Sequence, residues 1–445
     1  MEGWLLWAGR ACWQGYSAAS SPMTFAAKRV PKRKLKGQMA KSILEKIKKL
    51  KGADNAQGED KCLFESEDEG GEETATPDGG SVVLRSVVLR RTFYKHLQQE
   101  LCPRLPEPLR VPNPTTSLAV GSCCSGWCAE LFACEMLSLD FRPVFGCDLL
   151  PAAQAVSEAL FDHEFWFGDC MEEAFLQAPH VDIFLAGLPC QPWSRLGPSR
   201  GFEDDRGLLM LPVIRWMSAR RPKVAIFEQV ASMLTRHPRE FAFFLELLLQ
   251  IKHRGRPAYI VTYETLNCRF HGYLPQNRER TFVVCISREH AVAEMSWPTR
   301  VPMLPLSSVI DADTEPVLED FPGQLPSNAT CRRNVLSVYE KILEEGRDPL
   351  EQELVINMHG SEPHSNEGYS PCLTHSRAAA GGFWLSWRQR QMTSAEVCRL
   401  QGVDMCRIPF DLASERQIRQ LAGNSIPVPL LARVLQAALE AAGLV

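Results

Sequence analysis

The chain has 445 residues, of which 45% are hydrophobic and 23% are charged, and its formal net charge is −4. This length predicts two or three domains with a large core, and the net charge excludes a globally basic nucleic-acid binder, so any contact with phosphates must come from local patches. The sixteen cysteines lack disulfide-like spacing, and no apolar stretch is long enough to span a bilayer, so we expect a reducing compartment and no membrane association.

Residues 1–110 are predicted to form a largely disordered targeting extension. Basic residues crowd positions 28–51, and acidic residues with glycine crowd positions 58–80. Blocks of opposite charge with few aromatic residues are typical of disorder. The basic block is typical of a nuclear import signal or a nucleic-acid arm, which predicts a nuclear location. The first 27 residues contain one acidic residue and several Ser and Ala, so an organellar transit peptide stays an alternative.

From about residue 115, strand and helix patterns alternate along the chain. Pro151 suits the first position of a helix over residues 152–161. Apolar strands are predicted near residues 118–121, 141–148, 165–169, 180–188, 223–230 and 281–286. This alternation predicts a doubly wound α/β sheet over residues 111–299. Residues 300–385 are rich in Pro, Ser, Asn and Gly and predict a small irregular domain inserted in the sheet domain, while residues 386–445 return to the sheet domain.

A cysteine between two prolines follows the strand at residues 180–188. Pro189 and Pro192 restrict the backbone on both sides of Cys190 and Gln191, so the direction of the thiol is fixed. The carboxyl end of a parallel strand is where open α/β sheets bind ligands. Cys190 is therefore a candidate nucleophile, although an isolated cysteine is more often a small buried hydrophobic residue.

Groups suited to an adenosine-bearing ligand follow the first three strands. Cys124, Ser125 and Gly126 form a tight turn, Asp148 suits a ribose diol, and Asp169 could accept from an adenine amino group. The turn is not a complete Gly-x-Gly-x-x-Gly, which disfavours a nicotinamide cofactor. Taken singly, each group is more often a turn or a cap. The nearby cysteines lack a second pair at zinc-ligand spacing, so no metal site is predicted.

Two later strands carry charged side chains that suit a polar ring. Glu228 ends the strand at residues 223–230 and could donate to a ring nitrogen if burial keeps it protonated. Gln276, Arg278 and Arg280 alternate along a strand and can share one face, where two guanidiniums suit a nucleotide oxygen or phosphate. The alternatives are a helix-capping Glu and arginines on an edge strand.

In this order the motifs resemble the cytosine carbon-5 methyltransferase family, which uses S-adenosylmethionine. The resemblance covers residues 115–290 and 369–435. The matching motifs are the cofactor loop at 124–126, the adenine contact at 168–169, the nucleophile loop at 187–194, the mobile loop at 200–207, the Gln-x-Arg-x-Arg motif at 276–280, the penultimate motif with Thr393, Glu396 and 399–402, and the final motif at 423–427.

The resemblance implies methylation of cytosine in DNA on a Rossmann-like methyltransferase sheet, with residues 300–385 choosing the target sequence. It implies that the Cys190 thiolate attacks carbon 6 of a base flipped out of the duplex, that Glu228 binds the ring, and that Arg280 with Arg278 holds the base oxygen and a nearby phosphate. The cofactor site would be lined by Cys124, Ser125, Gly126, Asp148, Asp169, Pro189, Asn424 and Ser425. A monomer is expected.

Three positions depart from the family pattern. Gln229 replaces an Asn that braces the nucleophile loop, residues 127–129 lack the second glycine of the cofactor loop, and Trp193 replaces Phe. Two alternatives follow. One is the same chemistry on tRNA, although the Cys-Phe-Thr tripeptide of that branch is absent. The other is a catalytically silent methyltransferase-like protein that binds DNA or protein partners.

Overall fold

A computed structural model describes residues 117–193, 204–312, 325–360, 362–403, 407–409 and 411–445, together with Glu45 and Lys48. The predictions for residues 1–110 therefore fall outside the described residues, apart from those two positions. Within the described ranges, no helix combines the length and the apolar character needed to cross a membrane.

A seven-stranded sheet forms the centre of the molecule. Its strands are β1 (Leu118–Cys123), β2 (Phe141–Cys147), β3 (Phe165–Phe167), β4 (Ile183–Gly187), β5 (Val224–Val230), β8 (Tyr259–Asn267) and β9 (Glu279–Ser287). Their order is β3-β2-β1-β4-β5-β9-β8. The first five strands are parallel, whereas β9 runs antiparallel to β5 and β8 runs antiparallel to β9. The predicted doubly wound α/β fold is confirmed.

Helices cover both faces of this sheet. They are α1 (Ala129–Met136), α2 (Pro151–Leu160), α3 (Met210–Arg220), α4 (Ala231–Arg236), α5 (Pro238–Gln250), α6 (Cys268–His271), α7 (Ala329–Glu344), α8 (His375–Ala379), α9 (Ser394–Arg399), α10 (Glu415–Asn424) and α11 (Val428–Ala441). Pro151 occupies the first turn of α2, as predicted. Short 3-10 turns lie at Glu173–Gln177, Asp205–Leu209, Leu306–Ser308 and Ser386–Arg388, and a hairpin of β6 (Lys252–His253) and β7 (Arg256–Pro257) precedes β8.

Alternate residues of the central strands belong to two separate cores. Phe184 packs on Trp216 of α3 with ring centroids 4.6 Å apart, and Phe227 packs on Phe244 of α5 at 5.2 Å. Leu185 and Ile226 belong instead to the core shared with α1 and α11. Because most residues of β4 and β5 are buried on one face or the other, these strands read as nearly continuous apolar runs in the sequence.

Residues 300–385 are more regular than their composition suggests. Asn328 caps α7 by accepting from the backbone N–H of Cys331 at 3.0 Å, and α7 packs on a four-stranded antiparallel sheet. That sheet has the order β11-β10-β12-β13, with strands β10 (Leu354–Asn357), β11 (His364–Glu367), β12 (Trp384–Leu385) and β13 (Arg390–Gln391). The prediction of an irregular domain is wrong here, because strands of two to four residues are too short to show a period in the sequence. The sheet continues past the predicted boundary at residue 385.

Candidate active site

The nucleophile loop leaves β4 at the carboxyl edge of the sheet, directly beside β5. Gly187 of β4 pairs with Glu228 of β5. The neighbouring Gln229 turns its amide toward the loop and donates from Nε2 to the carbonyl oxygens of Leu188 at 3.0 Å and Pro189 at 3.2 Å. The Gln229 side chain, which is one methylene longer than Asn, therefore holds the loop by its two carbonyl groups immediately before Cys190.

The turn that contains Cys190 is also closed on its other side. The backbone N–H of Trp193 donates to the carbonyl of Cys190 at 3.0 Å, and the hydroxyl of Ser232 donates to the carbonyl of Trp193 at 2.7 Å. Trp193 itself is fully buried. Cys190 is thus held in a hydrogen-bonded turn that is anchored by the buried side chain of Trp193. This anchoring restricts the directions in which the sulfur of Cys190 can point.

Glu228 and Arg280 form a buried ion pair beside Cys190. The Nε of Arg280 lies 2.7 Å from Oε1 of Glu228, with the side chains only 10% and 8% exposed. Among the described residues, that carboxylate oxygen makes no well-aligned hydrogen bond, so it keeps acceptor capacity for a ligand. Burial raises the pKa of the Cys190 thiol, and the positive charge of Arg280 acts in the opposite direction.

Arg278 occupies a different environment from Arg280. Its guanidinium is 1% exposed and donates to the carbonyl oxygens of Leu373, Gly423 and Ser425, the last at 2.7 Å. Both terminal nitrogens of Arg278 donate to backbone carbonyls, whereas its buried Nε has no hydrogen-bond partner among the described residues. This placement favours a structural role for Arg278 over the predicted contact with the base or a phosphate. Gln276 acts alongside it by donating to the carbonyl of Leu400 at 2.7 Å.

Cys372 is a second thiol at this site, and the sequence reasoning did not identify it. Its sulfur lies 3.9 Å from Nη1 of Arg278 and 4.0 Å from Nη1 of Arg280. Burial opposes its ionisation, but the charges of Arg280 and Arg278 outweigh burial and lower the pKa of the thiol. No local pattern in the sequence marks this residue, because the contact joins the small sheet region to β9.

The turn after β1 uses backbone conformations that favour glycine. Cys124, Gly126 and Cys128 have φ of 53°, 56° and 60°. Cys128 therefore adopts, with a side chain, the left-handed conformation for which glycine is best suited. The hydroxyl of Ser125 accepts from the backbone N–H of Cys147 at 2.9 Å and from Ser122 at 2.7 Å. Its side chain thus ties this turn to β2 and positions the turn, while the predicted place of Ser125 in the cofactor site stays a prediction.

The two predicted acids follow β2 and β3 at the same edge. Asp148 accepts from the backbone N–H of Gly126 at 2.8 Å and of Leu150 at 3.0 Å, and Asp169 accepts from the N–H of Met171 at 2.8 Å. Burial raises the pKa of Asp148, and its two backbone donors oppose that shift. Each carboxylate keeps lone pairs for a further donor.

Open space lies in front of these acids. A Cβ atom built on Gly126 or on Gly168 would meet no atom within 4 Å. Leu149 and Met171, adjacent to the acids, are 65% and 53% exposed. Carboxylates for hydroxyl and amino donors, apolar side chains and open space together fit an adenosine-bearing cofactor. Leu149 and Met171 could have been found in the sequence. Each is a large apolar residue that lies one or two positions after the acid that follows its strand.

The chain returns to this edge through its C-terminal segment. Trp127 Nε1 donates to the hydroxyl of Ser425 at 2.7 Å, so Ser425, like Ser125, holds the turn in place. Asn424 is exposed, and its side chain hydrogen-bonds His375. A Cβ on Gly423 would lie 2.7 Å from the carbonyl oxygen of Thr374, so the close approach of α10 to α8 requires glycine here. The following helix, α11, contacts α1, β5 and β9.

Glu130 is a buried acid behind the cofactor turn that the sequence reasoning overlooked. It is 2% exposed in the first turn of α1. Burial raises its pKa to about 7, and hydrogen bonds from Ser122, its own backbone and Cys128 oppose that shift. The hydroxyls of Ser122 and Ser125 also lie 2.7 Å apart, so Glu130 lies next to the hydrogen-bonded group that holds the turn.

Comparison with known proteins identifies the family. The pattern of C-5 cytosine-specific DNA methylases matches residues 129–440. The chain belongs to the C-5 cytosine-specific DNA methylase family. The type II methyltransferase M.NgoBI of Neisseria gonorrhoeae is 31% identical over 303 residues, which cover 65% of this chain and 83% of that protein. M.HaeII of Haemophilus aegyptius is 27% identical over 313 residues, covering 68% and 85%.

Among solved structures, the methyltransferase EhMeth of Entamoeba histolytica superposes with a TM-score of 0.51 at 14% identity, over 73% of this chain and 99% of that one. At that identity the likeness concerns the fold, and it agrees with the Rossmann-like methyltransferase sheet expected from the motifs.

Family membership makes the chain a DNA cytosine-5 methyltransferase. The predicted nuclear location is wrong, because M.NgoBI and M.HaeII are type II methyltransferases of bacteria, which have no nucleus. The basic block at residues 28–51 therefore does not identify a nuclear protein.

Proposed function

We propose that this enzyme transfers a methyl group from S-adenosylmethionine to carbon 5 of a cytosine that has left the DNA duplex, through a transient bond to Cys190. The observation that carries the proposal is the grouping of three side chains at one sheet edge. Cys190 lies in a braced turn, and the Glu228–Arg280 ion pair is close enough for both charges to act on its thiol.

The proposed reaction begins at the Cys190 sulfur. Cytosine carbon 5 is a poor nucleophile, so the thiolate first bonds to carbon 6 and electron density moves toward carbon 5. Glu228 carries a proton, donates it in a hydrogen bond to ring nitrogen 3 and accepts from the exocyclic amine, which stabilises the negative charge that develops on the ring. Arg280 orients Glu228 and holds the base oxygen. Its charge also favours the thiolate against the effect of burial.

S-adenosylmethionine supplies an electrophilic methyl group on a sulfonium. Carbon 5 would take this methyl group as the sulfonium leaves as a neutral thioether, the carbon 5 proton would pass to a water molecule, and the bond between Cys190 and carbon 6 would break to restore the aromatic ring. Asp148, Asp169 and the backbone of Gly126 are proposed to bind the adenosine part. Cys124, Pro189 and Asn424 are proposed to border the same space, and Ser125 and Ser425 are proposed to hold the turn beside it in place.

The region that reads the target sequence is proposed to be residues 300–385, continued through β13 to Gln391. Two features support this. The region forms its own small core, and Leu373 and Cys372 join it to Arg278 and Arg280. Base contacts in the major groove would supply sequence choice.

The test is methyl transfer and covalent trapping by a Cys190→Ala variant. We expect methyl transfer from tritiated donor to fall by at least about 1000-fold, because the covalent route is lost, while donor binding is retained. Duplex DNA with 5-fluorocytosine should form a stable adduct with the wild-type enzyme and with the matched control Cys372→Ala, but not with Cys190→Ala. Substantial turnover by Cys190→Ala, or trapping on a fluorinated RNA but not on DNA, would contradict the proposal.

A further inference from the structure

A cluster of arginines stacked on aromatic rings lies beside the catalytic edge and plays no part in the reaction above. We call it the arginine–aromatic patch, and its members are Arg269, Phe270, Tyr273, Arg300, Tyr369 and Arg433. Resting on the proposed function, we propose that this patch binds backbone phosphates of the DNA duplex that flanks the target cytosine.

The patch is built from cations stacked on rings. The Cζ of Arg269 lies 3.7 Å from the ring centroid of Tyr369 and 5.2 Å from that of Phe270. On the same Phe270 ring, Arg300 lies at 4.9 Å. Stacking fixes a guanidinium in place while leaving its N–H donors at the ring edge, which is the arrangement that phosphate recognition requires.

The third cation comes from the C-terminal helix. Arg433 donates to the carbonyl oxygens of His271 at 2.7 Å and Thr299 at 2.9 Å, and its Cζ lies 5.5 Å from the ring centroid of Tyr273. The segment that carries Arg300 is held alongside, because the backbone N–H of Val301 donates to Phe270 at 2.8 Å. Arg269, Arg300 and Arg433 therefore come from three separate segments of the chain and lie on one surface.

Within the part of the chain that the structure describes, these charges lack an anionic partner of their own. Among the described residues, no carboxylate forms an ion pair with Arg269, Arg300 or Arg433. Other surface arginines do have one, as Arg399 does with Asp311 and Arg407 with Glu135. Beside the patch, the charge of Glu264 acts on His271, whose carbonyl accepts from Arg433. Mutual repulsion among unpaired cations is relieved by a polyanion.

The position of the patch relative to the reacting base follows from strand register. Arg280 pairs with Val230 of β5 and with Leu266 of β8, so β8 ends at the same edge as Glu228. Helix α6, which carries Arg269, begins directly after β8. On the other side, Tyr369 precedes Ser370, which bridges Gln276. A duplex whose target base entered this edge would extend past the patch, and phosphate contacts that ignore sequence would position it.

The test is binding of duplex DNA by the double variant R269Q/R300Q as a function of salt concentration. Each phosphate contact contributes about 0.9 to the slope of log affinity against log salt. We expect the variant to lose about 1.8 from that slope and to bind about tenfold more weakly at low salt. Lengthening the duplex on either side of the target cytosine should strengthen binding by the wild type more than by the variant.

Two controls keep the result specific. The variant R269K/R300K keeps the charges and should recover most of the slope, even if loss of stacking lowers stability. Arg256→Gln removes an exposed arginine at the opposite sheet edge and should leave the slope unchanged. A wild-type slope and affinity in R269Q/R300Q, or a loss that appears with structured RNA but not with duplex DNA, would overturn the proposal.

Failure of this inference is distinguishable from failure of the proposed function. If the patch only positions DNA, single-turnover methylation by R269Q/R300Q at saturating DNA should match the wild type, and only the DNA concentration needed should rise. If the wild-type enzyme formed no adduct with 5-fluorocytosine DNA, the reaction assigned to Cys190 would fail, whatever the salt dependence of binding.

Discussion

The two halves of the catalytic edge are built by different means. Around β4, β5 and β9, the site consists of charged side chains that face one another, as in the Glu228–Arg280 pair. Around β1, β2 and β3, side chains such as Ser125 bond to backbone and leave open space in front of Gly126. The first half depends on individual side-chain atoms. The second depends on backbone shape, which explains how Cys128 can stand where the family pattern has glycine.

The largest expected effect in the side-chain half is on catalysis. Arg280→Gln removes the charge that pairs with Glu228 and favours the Cys190 thiolate, so kcat should fall about 100- to 1000-fold. Binding of the methyl donor, measured by calorimetry, should be unchanged, because the donor is expected to bind around β1, β2 and β3, away from Arg280. Arg256→Gln serves as the matched control. Activity within threefold of wild type would show that the pocket does not depend on this charge.

Arg278→Gln should instead affect folding. The carbonyls of Leu373, Gly423 and Ser425 lose buried charged donors, so the free energy of unfolding should fall by about 3 kcal/mol. Urea denaturation measures this change, and Arg278→Lys should recover only part of it, since an ammonium cannot reach all three carbonyls. If Arg278→Gln had unchanged stability but no activity, Arg278 would instead act directly in catalysis.

Glu130 tests the backbone half through the pH dependence of stability. Burial raises its folded pKa to about 7 from an ordinary value of 4.5. The folded state therefore binds the proton of Glu130 more tightly than the unfolded state does. The stability that this proton confers is present at low pH and is lost as the pH rises from 4.5 through 7.

Relative to Glu130→Gln, the wild type should lose up to about 3 kcal/mol of stability between pH 5 and pH 8. Thermal or urea unfolding at several pH values measures the difference. Glu158→Gln, on the exposed surface of α2, corrects for the general pH dependence. Parallel curves for wild type and Glu130→Gln would contradict a buried, titrating carboxyl group.

The smallest effect concerns the brace on the nucleophile loop. Gln229→Asn shortens the amide, which can then no longer reach the carbonyls of both Leu188 and Pro189. Turnover should fall about tenfold as Cys190 loses its position. Gln229→Glu keeps the length but removes the donor and should be at least as harmful. A higher turnover in Gln229→Asn would show that the longer amide disturbs the loop.

Much of the fold was predictable because its signals are local. Buried parallel strands read as apolar runs, and Pro151 marks the start of α2. The small antiparallel sheet was missed, because β12 and β13 have two residues each and carry no detectable period. The presence of Gln instead of Asn at position 229 could be read from the sequence. That this Gln braces the nucleophile loop became clear only from the positions of the carbonyl oxygens of Leu188 and Pro189.

The sequence by itself determined six strands of the central sheet, the proline-framed turn at Cys190 and the family, since each depends on residues that are neighbours along the chain. Only the tertiary structure showed that Arg278 donates to backbone carbonyls while Arg280 pairs with Glu228, although only two positions separate the arginines. It also brought Arg269, Arg300 and Arg433 together. Such assignments depend on which distant segments meet, and a charged side chain acts according to the partners that surround it.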